Sequence, residues 1–258
     1  MKKNFTLICG VVFAAQSTLS FAQTTTMQIW KDGKVTYNLG ATEVDSVTFA
    51  TEEEPSDDGI YTIDGHEFVD LGLPSGLLWA TCNVGAEKPA DTGYYLAWAE
   101  TEPKATYTWD SYAYGWQDNL TKYQSTEGSR TLEAEDDAAT ANWGSSCRMP
   151  SQDEFEELID EANCTWEWTT QANSSDEAMN GYLVTSKTNG HSIFIPATGY
   201  YEKSTLEHFG KYAYYWSRTM SYNYAAAIHC LYFSDNYFYV DTHYRQYGEV
   251  VRPVAEAK

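Results

Sequence analysis

The sequence predicts an α+β domain, with short antiparallel strands and two helices set among them, preceded by a small β unit. Three observations predict it. Short apolar runs, broken by turns rich in Gly, Asn, Asp and Pro, recur from residue 60 to residue 254. Only two stretches, 132–144 and 151–162, carry helical punctuation. Aromatic residues make up 16 % of the chain, 21 of them Tyr and nine Trp, and β-branched and aromatic residues favour pleated, half-buried surfaces.

The chain opens on MKKNFTLICGVVFAAQSTLSFAQ. Two lysines, an interrupted apolar run and a small-residue ending read as a secretory signal peptide over 1–22, cleaved after Ala22. The run is too short for a spanning helix. Gln23 rather than Cys follows the cleavage point, so no lipid anchor is expected, and the protein reads as exported to the periplasm, the cell surface or the medium. Residues 23–50 form the small β unit. Asp32-Gly33 between QIWK and KVTY is a hairpin signal, and VDSVTFA reads as a third strand. TEEEPSDDG (51–59) is an acidic linker. The main domain occupies 60–258.

Within that domain, YTIDGHEFVDLG predicts a hairpin at Asp64-Gly65, LLWATCNVGA a strand running into a turn, and GYYLAWAET a buried strand. Residues 101–130 read as a long aromatic loop, too rich in Trp and Tyr for disorder. LEAEDDAATANWG (132–144), acidic at its start and closed by Gly144, reads as one helix. In PSQDEFEELIDEA, Ser151 and Glu154 make a capping box, and Phe155, Leu158, Ile159 and Ala162 recur at helical spacing. CTWEWTT, GYLVTSK, SIFIPATGY and the C-terminal run read as strands, and QANSSDEAMNG as a loop.

The net charge is −21, and removing Lys2 and Lys3 with the signal peptide makes the remainder more acidic. Such a chain is repelled by nucleic acid and by anionic membrane surfaces, and neither is expected as a partner. No later segment is apolar for long enough to cross a membrane. Cys82, Cys147, Cys164 and Cys230 are possible disulfide cysteines in an oxidising compartment, with free buried thiols the simpler alternative. No pair has CxxC spacing.

The candidate site lies near the C-terminal end. Ten of the 21 tyrosines fall between Tyr212 and Tyr247. If 228–241 is a hairpin turning at Ser234-Asp235-Asn236, Leu231, Phe233, Phe238 and Val240 share the core face. Cys230, Tyr232, Tyr237, Tyr239 and Asp241 then face outward. Flanking loops add Tyr222, Asn223, Tyr224, His243, Tyr244, Arg245 and Tyr247, and Asn236 lies in the turn. Trp109, Tyr112, Tyr114 and Trp116 of the long loop are candidates for an opposing wall. Tyrosine offers a large flat area at low entropy cost with one hydroxyl, and Ser, Asn and Asp add adaptable hydrogen bonding, a composition shared with antibody paratopes. The expected partner is a glycan or a surface protein or peptide. The competing reading packs these tyrosines against the 101–130 loop as a second layer of core.

HEFVDLGLPSGLLWATCNVGAEKPADTGYYLAWAET (66–101), EDDAATANWGSSCRMPSQDEFEELI (135–159), GYYEKSTLEHFGKYAYYWSRT and GEVVRPV together resemble the Fibrobacter succinogenes major paralogous domain family. The resemblance spans about 66–254. It implies a C-type-lectin-like fold, related to formylglycine-generating enzymes and to the variable proteins of diversity-generating retroelements. In those variable proteins the C-terminal strands carry diversified ligand-binding residues. Cys147 stands where the family has Trp, and Ser151 where it has Thr.

Catalytic and metal signatures are weak. GxSxG, HExxH, P-loop and EF-hand patterns are absent, and the five histidines are scattered. No cofactor is expected. Calcium near Asp136 and Asp137 is conceivable but unsupported, because acids at a helix start are stabilising without metal. The sugar-coordinating E-P-N and Q-P-D triplets of calcium-dependent lectins are missing. The enzyme branch of the resemblance uses paired cysteines, and only Cys230 lies in the corresponding half. The reading is a non-catalytic recognition protein. The alternatives are a structural or assembly component of the cell surface or matrix and, remotely, a formylglycine-generating-type enzyme.

Overall fold

The structure is a computed structural model that describes residues 26–31, 34–40, 59–124 and 130–257. The expected signal peptide, the strand at 44–50 and the linker apart from Gly59 lie outside the described residues. The chain divides into two compact units, Met1–Glu52 and Glu53–Lys258. In the first, β1 (Thr26–Lys31) pairs antiparallel with β2 (Lys34–Gly40).

The second unit is mostly β, with two short helices and several antiparallel sheets. It runs through β3 (Ile60–Ile63), β4 (His66–Asp70) and β5 (Leu77–Ala80), then the small hairpin of β6 (Gly115–Trp116) and β7 (Asn119–Leu120). After this come α1 (Ala138–Trp143), β8 (Cys147–Arg148) and α2 (Gln152–Ile159). The long strands β9 (Cys164–Ala172) and β10 (Ala178–Ser186) precede β11 (Ser192–Pro196), and the hairpin of β12 (Tyr200–Glu202) and β13 (Thr205–Glu207) follows. β14 (Tyr212–Met220), β15 (Ala227–Ser234) and β16 (Phe238–Tyr244) form one sheet, and β17 (Val254–Glu256) closes the order.

Strand β17 does not lie at an edge. It sits between β5 and β8 in the five-stranded order β3-β4-β5-β17-β8, with Ala255 opposite Leu78. The central strand of this sheet, β5, is buried on both faces, and successive side chains feed two cores. Leu78, Ala80 and Ala255 join Phe68, Trp98, Trp216 and Val251 on one side. Leu77, Trp79 and Val254 join Phe155, Tyr215, Leu231 and Phe233 on the other.

The VVRPV ending supplies the brace between β5 and β11. Arg252 is fully buried and, among the described residues, forms no ion pair with a carboxylate. Its Nε donates to Asn83 Oδ1 (2.8 Å), Nη1 to the carbonyls of Ala80 (2.9 Å) and Thr81 (2.6 Å), and Nη2 to that of Phe194 (3.0 Å). Four charge-assisted bonds hold a guanidinium that burial would otherwise penalise.

Local chemistry explains where the elements begin and end. Asp64 (φ 49°) and Gly65 (φ 85°) both occupy the left-handed region between β3 and β4, as a two-residue hairpin turn requires. The Ser151 hydroxyl accepts from Glu154 N–H, and the Glu154 carboxylate accepts from Ser151 N–H, so the capping box over α2 forms. Phe155 and Leu158 are its buried residues. The helix stops at Ile159, because Asp160 turns extended (ψ 121°), and Ala162 is exposed beyond it.

The helix expected over 132–144 is shorter. The Asp137 carboxylate accepts from Ala139 and Thr140 N–H, so α1 starts at Ala138 behind a separate 3-10 turn at Ala134–Asp136. GYYLAWAET is buried only at Leu96, Ala97, Trp98 and Ala99, and it is irregular. Leu96 makes a single bridge to Glu249, and Ala99 has φ 68°, which breaks the ladder. The QANSSDEAMNG loop contracts to 173–177, since β9 and β10 pair from Ala172 and Ala178.

Candidate ligand-binding face

The β15–β16 hairpin folds as its alternation predicts. Leu231 pairs with Val240 and Phe233 with Phe238, and this face packs on Trp166, Trp168 and Tyr182. On the other face Tyr214, Tyr232 and Tyr239 stand in one cross-strand row, and Trp216, Cys230 and Asp241 in the next. That face changes character along its length. At its base Trp216, Ile228 and Cys230 are fully buried. Toward the turn the rings come out, Tyr237 and Tyr239 being 40 % and 42 % exposed.

The rings form a continuous ribbon. Tyr232 contacts Tyr214 (4.7 Å between centroids), Tyr239 (5.1 Å) and Tyr237 (5.6 Å), and Tyr212 stacks on it at 5.9 Å. The Tyr232 and Tyr237 hydroxyls share a 3.0 Å hydrogen bond. That bond holds the exposed Tyr237 phenol below the usual tyrosine range, while burial and then the same bond push Tyr232 up. The ribbon continues through Tyr200, 4.8 Å from Tyr214, to His243 and Tyr247.

His243 joins the ribbon to the interior. Its ring stacks on Tyr214 at 4.8 Å and lies 4.4 Å from Tyr247, while Nδ1 bonds Glu249 Oε1. Glu249 is completely buried, and among the described residues its Oε2 has no hydrogen-bond partner. Burial pushes its carboxyl up to about 7, against the lowering effect of His243.

The long loop supplies the second wall expected of it, in part. Trp109 meets Tyr244 edge-on at 6.2 Å, Tyr244 meets Tyr224 at 6.3 Å, and the Gln117 amide donates to the Tyr224 hydroxyl. Trp116 is exposed and donates its indole N–H to Asp110 (3.0 Å). Tyr222, 63 % exposed, and Asn223 project from the turn before β15, and Asn236 and Asp241 are exposed on the hairpin.

Two expected contact residues, and a cysteine expected on the outward face, are not on the surface. Tyr112 is buried, its hydroxyl donating to Trp98 O at 2.8 Å. Arg245 is fully buried, with its guanidinium 4.6 Å from the Trp98 ring centre and 5.5 Å from that of Tyr112. A cation over aromatic faces is attracted by their quadrupoles, so Arg245 serves the interior. Cys230 points outward by alternation but is covered by the core around Trp216, and burial pushes its thiol well above the ordinary value.

The four cysteines among the described residues are free, Cys82 half-buried and Cys147, Cys164 and Cys230 buried; no bridge forms among them. The acids considered for calcium have other partners. Asp137 caps α1 and also accepts from Met149 N–H. Asp136 accepts from Tyr114 and Tyr123 hydroxyls. With Glu133 and Glu135 it forms the cluster of potential metal ligands found among the described residues, and the Lys122 ammonium already sits against all three carboxylates. Burial alone would raise Asp136, but the bonds from Lys122, Tyr123 and Tyr114 outweigh it and hold the group below the usual carboxylate range.

Sequence reasoning missed Glu249, Tyr200 and Tyr214 as parts of this face. Tyr214 was legible from the alternation of YAYYW in β14, whereas Glu249 and Tyr200 reach the ribbon by tertiary folding. Among the described residues, no helix is long and apolar enough to cross a membrane. No family model, curated protein or solved structure matches the chain.

Proposed function

We propose that this is an exported, non-catalytic recognition protein. Its tyrosine ribbon on β14–β16, flanked by the Tyr222–Tyr224 turn and the Trp109–Trp116 loop, engages a glycan or a surface protein. The lectin-like fold implied by the sequence resemblance belongs to the same proposal, and two helices among short antiparallel strands are compatible with it. One observation carries the reading: large rings remain exposed at Tyr222, Tyr224, Tyr237, Tyr239 and Tyr244, and ring contacts through Tyr247, His243, Tyr214 and Tyr232 link the last four of them. Contiguous exposed aromatic surface is uncommon on soluble proteins and marks contact sites. Tyrosines held against one another lose little further entropy on binding.

The test is a binding screen of the chain freed of residues 1–22, on glycan and surface-protein arrays, with and without a chelator. The Tyr237→Ala/Tyr239→Ala variant runs beside it. Both rings lie at the exposed end of the face, so their loss should abolish binding of the ribbon's own ligand while lowering the melting temperature by only a few degrees. An array on which no hit is lost with the double substitution, or a variant that no longer folds, would refute the ribbon as the contact surface. The Lys122 ammonium already sits against all three carboxylates of the Glu133, Glu135 and Asp136 cluster, where a cation would have to bind, so the chelator is expected to change nothing.

A further inference from the structure

On the far side of the β12–β13 hairpin lies a groove of about 600 Å³ that belongs to a different surface from the ribbon. The hairpin separates them, because Tyr200 packs on Tyr214 and His243 while its neighbour Tyr201 turns to Tyr95 and Tyr107 and lines the groove. The volume falls within the roughly 300–1,000 Å³ usual for small-ligand sites.

Two exposed rings define the groove. Tyr94 is 41 % exposed and Phe209 49 %. Tyr94 is held in place from beneath. A Cβ on Gly85 would meet Cγ, Cδ1 and Cε1 of this ring at 2.5–2.7 Å, and Gly85 has φ +78°. The ring therefore rests on a glycine where a Cβ would collide with it and where the backbone is strained for other residues, while much of Tyr94 stays open to solvent at the groove. Met179, Tyr95 and Leu206 contribute further apolar surface.

The rim is polar and fixed. Asp91 Oδ1 accepts from Ser174 N–H (2.7 Å), and Oδ2 from Glu87 (3.2 Å) and Lys88 (2.8 Å) N–H. This staples the 85–95 loop to the β9–β10 turn. The exposed Glu87 carboxylate, Thr92 and Asn173 also line the groove; among the described residues no Lys or Arg lines it, the nearby Lys88 ammonium being turned to the Asn173 carbonyl (3.4 Å).

We propose that this groove is a second binding site, for a short stretch of neutral saccharide. A pyranose ring has an apolar C–H face that stacks on an aromatic ring, the weakly positive hydrogens meeting the negative π-face. Its equatorial hydroxyls donate to carboxylate and amide oxygens at the rim. Two acids without a basic partner in the lining disfavour sulfated, phosphorylated or uronate-bearing chains.

The experiment is isothermal titration and array binding of the same chain with neutral oligosaccharides. A sulfated oligosaccharide and an oligolysine peptide serve as competing probes. A neutral oligosaccharide is expected to bind. Tyr94→Ala and Phe209→Ala each weaken it by about tenfold, and Tyr94→Phe, which keeps the ring, retains it. Tyr237→Ala/Tyr239→Ala leaves it unchanged, so this site and the ribbon fail or succeed separately. Both groove rings are half in solvent, so the alanine variants should fold, and their melting curves check it. The proposal is overturned if no neutral oligosaccharide binds at millimolar concentration, or if only the sulfated chain or oligolysine does. It is equally overturned if binding survives both alanine variants, or disappears with the ribbon substitutions instead.

Discussion

Replacing Glu249 by Gln should alter how stability depends on pH. In the fold its carboxyl is raised to about 7 from the ordinary 4.5, chiefly by complete burial. A raised carboxyl is bound more tightly to its proton in the native state than in the unfolded chain. Its contribution is therefore fully present below about pH 4.5 and is lost as pH rises through about 7. Each unit of difference corresponds to about 1.4 kcal/mol, so the loss approaches about 3 kcal/mol. Gln has nearly the same shape, keeps a polar group against His243 and does not ionise. Urea unfolding followed by tryptophan fluorescence at pH 5, 6, 7 and 8 measures both proteins. Titrating groups without contact to Glu249, buried Asp137 among them, act on both alike and cancel in the difference, which leaves Glu249 together with its partner His243. The wild type minus variant stability should fall by about 2–3 kcal/mol across that range. Parallel curves would mean that Glu249 ionises in the fold as readily as in water, and would refute the assignment of a buried, protonated carboxyl beneath the ribbon.

Other expectations follow from the interior. Arg252→Met should destabilise the domain by more than about 4 kcal/mol, since four buried acceptors lose their donor, and Arg252→Lys should rescue little, because an ammonium cannot reproduce the planar fork; denaturant titration reads both. Ser151→Ala removes half of the capping box and should cost about 1 kcal/mol, measured in the same way. Native alkylation with a maleimide, followed by mass spectrometry, should modify Cys82 first, and Cys147, Cys164 and Cys230 only in denaturant. A non-reduced sample that carries a disulfide would contradict the four free thiols.

What was legible in the sequence was local. Asp64-Gly65, the Ser151–Glu154 box and the alternation through LYFSDNYFYV each depend on residues a few positions apart, and each forms as read. Elements decided by distant neighbours were misjudged. LAWA is apolar on both sides, like a strand, yet Trp98 N–H bonds Arg245 O and Ala99 turns left-handed, so no ladder continues. The candidate face was legible in its rings but not in its buried members. Nothing in the spacing of Tyr112, Cys230 or Arg245 tells that Trp98, Trp216 and their neighbours cover them. Arg252 was the harder case, since a lone arginine in VVRPV has no local pattern that marks it as a buried brace.

The position of β17 bears on when the domain can form. Leu78 cannot find Ala255 until almost all of the second unit has been synthesised, and β8 has no other partner in its sheet. Closure across so long a stretch of chain makes folding slow. Until Val254–Glu256 are in place β5 and β8 have nothing between them, so the five-stranded sheet is joined by a segment far in sequence from both of its neighbours.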